Sequence, residues 1–129
     1  MRRNITAIVL LLFFGMTASA QDKTWQDISL LLRNGSSKEL MKFCGAQLTL
    51  KMEGSNATFA RAEAESKLRK FFLDNPPTNF SFVHQGSSAE GLKYSIGKYS
   101  IRGGSYRVVM FLKEKSGSYL LESISLTKE

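Results

Sequence analysis

The stretch from Phe80 to Leu126 constrains the fold more than any other part of the chain. It divides into four extended segments, Phe80–Gln85, Leu92–Ile101, Ser105–Glu114 and Ser118–Thr127, joined by short polar or glycine-containing connections. Side chains along a strand alternate between two faces, so apolar residues at every second position mark one buried face. Phe80, Phe82 and His84 share a face on the first segment. On the second, Tyr94 and Ile96 alternate up to Gly97, after which the large residues are Tyr99 and Ile101. A glycine at such a change of parity predicts a bulge that bends the sheet. On the third, Tyr106, Val108, Met110 and Leu112 alternate with Arg107, Val109, Phe111 and Lys113. That segment is apolar on both faces in its middle and belongs near the sheet centre. Leu120, Glu122, Ile124 and Leu126 are expected to share a face on the last. Gly103-Gly104 and Lys115-Ser116-Gly117 supply the tight turns.

A sheet of this size must be covered by what precedes it. Thr24 predicts a cap for a first helix over Trp25–Arg33, with Trp25, Ile28 and Leu32 on one stripe and Asn34-Gly35 ending it. Ser36 and Glu39 have the spacing of a capping box, in which serine and glutamate satisfy two orphan backbone N–H groups. They predict a second helix over Ser37–Cys44, stopped by Gly45. Leu48, Leu50 and Met52 alternate with Thr49 and Lys51, a strand followed by a turn at Glu53–Asn56 and a partner strand at Ala57–Ala60. Arg61–Asp74 reads as the longest helix, with Ala64, Leu68, Phe71 and Phe72 inward. Glu63 with Lys67, and Glu65 with Arg69, stand one turn apart on its solvated side. Pro76-Pro77 ends it.

The chain opens with Arg2 and Arg3, an apolar run Ile8–Phe14 and the small residues Ala18-Ser19-Ala20. This is the pattern of a cleaved export signal, residues 1–20, and places the protein in the periplasm or outside the cell. The apolar run is short for a bilayer-spanning helix, which needs about 20 apolar residues. No Cys follows the cleavage pattern, so a bacterial lipid anchor is not expected. The remainder, residues 21–129, is one domain with one core and no membrane span. Its charge is basic, +7 for the whole chain and two lower without Arg2 and Arg3. The charges are scattered rather than blocked, which argues for a solvated surface, the alternative being weak attraction to anionic glycans or lipid headgroups; an exported protein meets little nucleic acid, so none is expected as a partner. Cys44 is the only cysteine, so no internal disulfide forms. Its apolar neighbours predict a buried core residue. Sequons at Asn34, Asn56 and Asn79 matter only in a eukaryotic secretory pathway.

These elements predict an α+β fold in which three N-terminal helices pack on a strongly curved antiparallel sheet, together a cone. The order, with Ala57-Thr-Phe-Ala-Arg-Ala-Glu-Ala64 leading into Leu68-x-x-Phe71-Phe72, resembles the cystatin-like, nuclear-transport-factor-two-like superfamily. Phe80-x-Phe82-x-His84-x-Gly86, Tyr94-Ser-Ile96-Gly97 and Gly104-Ser-Tyr106-Arg107-Val108 are similar to a small exported family of Bacteroidota, domain of unknown function 4783. That resemblance covers nearly all of residues 21–129 and implies an exported single domain. It supplies no catalytic residues.

The superfamily resemblance implies a pocket between sheet and helices, where ketosteroid isomerase and scytalone dehydratase place an acid or base. Four side chains are candidates for lining it: His84, Tyr94, Arg107 and Glu122. A carboxylate in an apolar cavity has a raised pKa and can act as general acid or base, which singles out Glu122. The alternatives are a rim position or a pair with Arg107. His84 can serve as a base or as a ligand's hydrogen-bond partner, or simply as a structural residue. Arg107, beside Val109 and Phe111, can grip a carboxylate or phosphate at two points. Tyr94, Tyr99, Tyr106 and Tyr119 suit either cavity lining or packing. One His and one Cys make no protein metal site of usual composition, and no phosphate loop or nucleophile elbow occurs. No cofactor is expected.

Two readings follow. One is a non-catalytic exported module that binds a small ligand or protein partner, or forms a homodimer through its sheet. The other is a small cofactor-free enzyme of isomerase or dehydratase type using Glu122 or His84. The lack of an acid–base constellation favours the first, with no catalytic residue assigned.

Overall fold

The computed structural model describes residues 20–88 and 90–129. The expected export signal, residues 1–20, lies outside the described residues but for Ala20, and Ala89 in the Gly86–Gly91 connection lies outside them too. Helix α1 spans Ala20–Asn34, α2 Ser37–Leu40, and a 3-10 turn Met41–Phe43 leads into β1, Cys44–Met52. Then come β2 Ser55–Ala60, α3 Arg61–Asp74, β3 Pro77–Ser87, β4 Lys93–Ile101, β5 Gly104–Lys115 and β6 Ser118–Lys128. The strands form one sheet in the order β2-β1-β6-β5-β4-β3, with the helices on one face. This is the expected α+β architecture of helices on a sheet, with one difference: the sheet is mixed, because β1 runs parallel to β6. Among the described residues no helix is long and apolar enough to cross a membrane.

Local chemistry accounts for most boundaries. Gly35, at φ 64°, ends α1 in a left-handed conformation. Ser36 N–H donates to Leu31 O at 2.9 Å and Gly35 N–H to Leu32 O at 3.3 Å, the paired bonds of a Schellman turn. The start of α1 lies before Trp25, so Thr24 sits inside the helix rather than capping it. Asp22 in the first turn suits the positive end of the helix dipole. The capping box is not made: Ser36 forms no side-chain cap bond, and Glu39 instead lies 2.7 Å from Lys42. The second helix also stops at Leu40, because Cys44 already pairs with Leu121 of β6 and draws the chain into the sheet.

The core lies between the helices and the inner face of the sheet. Trp25, Ile28 and Leu32 of α1 and Ala64, Leu68, Phe71 and Phe72 of α3 form one buried cluster with Leu48, Leu50, Val108, Met110, Leu112 and Ile124 of the sheet. Strand β5 is central, as expected, with β4 and β6 on either side.

The expected parity change at Gly97 is not found. β4 pairs with β5 without interruption from Lys93 to Ile101, and Ser95, Gly97 and Tyr99 all face the core. Tyr94 and Ile96 therefore face outward. The bulge lies instead on β3, between Phe82 and His84. Another bulge interrupts the β5–β6 pairing, where Phe111 faces Ser123 but Leu112 faces Leu121, leaving Glu122 as the extra residue. An extra residue switches the side of every residue beyond it. His84 thus leaves the face of Phe80 and Phe82, and Leu121 rather than Leu120 joins Ile124 in the core.

Candidate functional site

The space between helices and sheet, where a pocket was expected, is filled by aromatic side chains. Phe71 meets Tyr106 edge-on at 4.9 Å between ring centroids and Tyr99 at 5.5 Å. The Tyr99 hydroxyl donates to Asn75 O at 2.6 Å and the Tyr106 hydroxyl to Asn75 Oδ1 at 3.3 Å. Asn75 Nδ2 in turn donates to Phe71 O at 3.1 Å, closing the end of α3. Burial, and then the neighbouring Tyr106, push the Tyr99 phenol above its ordinary range, so it stays a neutral donor. These two tyrosines pack and hold a helix end.

His84, Tyr94, Arg107 and Glu122 all lie on the other side of the sheet. The arrangement expected of an isomerase or dehydratase, with Glu122 or His84 in an inner chamber, is not formed among the described residues. His84 is exposed and stands opposite Ile96. Its Nε2 shares a hydrogen bond of 2.9 Å with the Tyr94 hydroxyl, so these two candidates are brought together. Tyr94 lies over the backbone of Gly86, where an added Cβ would come within 2.7 Å of the hydroxyl oxygen. Arg107 is exposed, opposite Lys98 on β4 and Thr127 on β6. Glu122 is half-buried at the β6 bulge, and the register sets it apart from Arg107.

The pairings lay out this outer face in rows. His84, Ile96, Val109 and Ser125 form one row across β3 to β6, and Gly86, Tyr94, Phe111 and Ser123 the next. Tyr94, Ile96, Val109 and Phe111 make a half-buried apolar patch, with the Tyr94 and Phe111 rings 6.3 Å apart. Lys98 and Arg107 bound it at one end.

A groove of about 460 Å³ opens two strands away, where β1 and β6 separate. Cys44 pairs with Leu121 and Thr49 with Ser123, so Gly45–Leu48 have only Glu122 facing them. Gln47, Thr49, Thr58, Lys115, Leu120 and Glu122 are among its lining residues. The Thr49 and Thr58 hydroxyls are hydrogen-bonded to each other at 2.8 Å. Sequence reasoning named Glu122 but placed it on the wrong face. The adjacent Leu120-Leu121 pair, which breaks the alternation, was the available signal. Nothing local marks the β1–β6 gap.

Burial pushes the Cys44 thiol up to about 12, Arg61 opposing it in part, so it is a protonated core residue. Among the described residues no three His, Cys, Asp or Glu are grouped to hold a metal ion.

Residues 25–127 match the family profile described as domain of unknown function (DUF4783). The chain belongs to the DUF4783 family. A DUF4783 protein from Bacteroides ovatus is 28% identical, with a TM-score of 0.73 over 79% of this chain and 92% of that one. The fold extends to an NTF2-like protein of unknown function from Silicibacter pomeroyi, at 10% identity and TM-score 0.59 over 85% and 93% of the two chains. It also extends to a putative calcium/calmodulin dependent protein kinase II association domain from Xanthomonas campestris, at 13% identity and TM-score 0.61 over 82% and 83%. No curated protein matches this DUF4783 chain. Its family is thus shown by sequence, and its likeness to the NTF2-like protein is one of fold alone.

Proposed function

We propose that this DUF4783 protein is an exported, non-catalytic binding module that self-associates through the outer face of its sheet. The observation that carries the reading is the patch of Tyr94, Ile96, Val109 and Phe111 on the face away from the helices. Clustered apolar side chains on a sheet face are the usual core of a protein contact. A second copy is the occupant the patch suits, because an isologous contact needs only one self-complementary surface. The resemblance in fold to a domain described as an association domain supports the same reading. The basic residues Lys98 and Arg107 at one end of the patch favour a pairing that keeps the two basic ends apart.

Sedimentation of the processed protein tests this. A dimer is expected, converted to monomer by Val109→Lys or Phe111→Lys with the fold retained by circular dichroism. A monomer at every concentration, or a dimer insensitive to both changes, overturns it. Export rests on Arg2, Arg3, the apolar run and Ala18-Ser19-Ala20. N-terminal sequencing of protein recovered from its host should begin at Gln21; an intact Met1 end in a cytoplasmic fraction refutes export.

A further inference from the structure

We infer that the gap between β1 and β6 is a binding site for a small zwitterion of the free amino acid class. Glu122 takes the ammonium group and Lys115 the carboxylate. This goes beyond self-association and does not depend on it, since the groove lies across β6 from the apolar patch.

The gap is built into the sheet rather than left by a loose surface loop. Between the Cys44–Leu121 and Thr49–Ser123 pairs, four residues of β1 run against one of β6. The two strands make no pairing over these residues. At one end of the gap Arg61 Nε donates to Gly45 O at 2.9 Å. The volume, about 460 Å³, falls among small-molecule clefts.

The lining carries both signs of charge. Glu122 is half-buried, yet among the described residues it makes no ion pair or side-chain hydrogen bond, and neither does Lys115. A carboxylate without a partner is free to accept charge-assisted hydrogen bonds from a ligand ammonium. A ligand of one sign would leave the other group unused. A zwitterion satisfies both. The Gln47 amide and the bonded Thr49–Thr58 hydroxyls add orienting polar groups, and Leu120 supplies an apolar wall for a side chain.

Amide chemical shifts of the processed protein, titrated with each of the standard amino acids, test the proposal. At least one should produce saturable shifts at Gly45–Thr49 and Glu122. Its N-acetyl and methyl ester forms should each bind about ten-fold more weakly or worse, as should the variants Glu122→Gln and Lys115→Ala. The melting temperatures of both variants should stay near that of the parent. No saturable shift with any amino acid, blocked forms that bind as well as the free one, or variants with parent affinity each overturn it. The oligomeric state is read separately, so loss of this site and loss of self-association are told apart.

Discussion

Phe80 occupies the space that a side chain at Gly97 would need. A Cβ built at Gly97 would stand 2.7 Å from Cε2 of the Phe80 ring, closer still to its Cζ, and 3.1 Å from the carbonyl oxygen of Ser81. Phe80 is fully buried, and Phe82 pairs with Gly97 across the strands. The glycine is therefore a packing residue, leaving room for a ring from the neighbouring strand.

Gly97→Ala is accordingly expected to destabilise the domain by about 1–3 kcal/mol, the usual cost of overpacking a full core. Urea unfolding measures it. Phe80→Leu in the Gly97→Ala background should cost less than the sum of the two single changes, because the smaller side chain vacates the contested space. Additive costs would show that the clash is not with Phe80.

Tyr99 and Asn75 make a second core dependence. Tyr99→Phe removes the donor to Asn75 O and leaves that carbonyl without its 2.6 Å bond, at an expected cost of about 1–3 kcal/mol. Tyr106→Phe, which loses the longer 3.3 Å bond from a half-buried side chain, should cost less. Denaturant midpoints of the two variants check the order, and a reversed order would contradict the burial of Tyr99.

Cys44 sets an alkaline limit. In the folded chain its thiol holds a proton up to about 12, against an ordinary value of 9.0, so between these values the native state binds more protons than the unfolded state. Stability contributed by the neutral thiol is therefore complete below 9.0 and lost as pH rises to about 12. Tyr99, raised from 10.0, acts with the same sign at the upper end. Unfolding free energies across this range should fall with pH, and fall less steeply for Cys44→Ala. A thiol reagent should modify the native protein no faster than it unfolds.

Ser36→Ala separates sequence pattern from structure. The spacing of Ser36 and Glu39 predicts a loss of about 1 kcal/mol for removing such a cap. The structure shows no cap bond from Ser36 and gives Glu39 to Lys42, so the expected change is within about 0.5 kcal/mol. A melt of the variant decides between the two values.

What the sequence reveals here follows from the range of the interactions involved. Helix α3 is legible to the residue because Ala64, Leu68, Phe71 and Phe72 repeat locally and Pro76-Pro77 stops them. The four long strands are legible for the same reason, and so is the central place of β5. Register is not local. The residue before His84 is an ordinary Val in a run that otherwise alternates, yet the bulge there moves His84 to the outer face. Glu122 is misplaced by the same physics in the β5–β6 pair, and the parallel β1–β6 pairing joins segments far apart in the chain. The identities of the candidate residues were readable. Which side of the sheet they serve depends on single inserted residues whose effect appears only when both strands are present.

Gly86 offers the counterpart to Gly97. An added Cβ would lie 2.7 Å from the Tyr94 hydroxyl oxygen and 2.8 Å from Cε1 and Cζ, but these atoms end a half-exposed side chain rather than a buried one. Gly86→Ala should therefore push the Tyr94 ring aside at little cost to stability while breaking the 2.9 Å bond to His84. A melting temperature near the parent value, with shifted His84 ring resonances, is the expected pair of results. Because Tyr94 belongs to the apolar patch, the same change should weaken self-association of the processed protein. A large loss of stability would mean that Tyr94 cannot move, and that this edge of the outer face is held as firmly as the core beneath it.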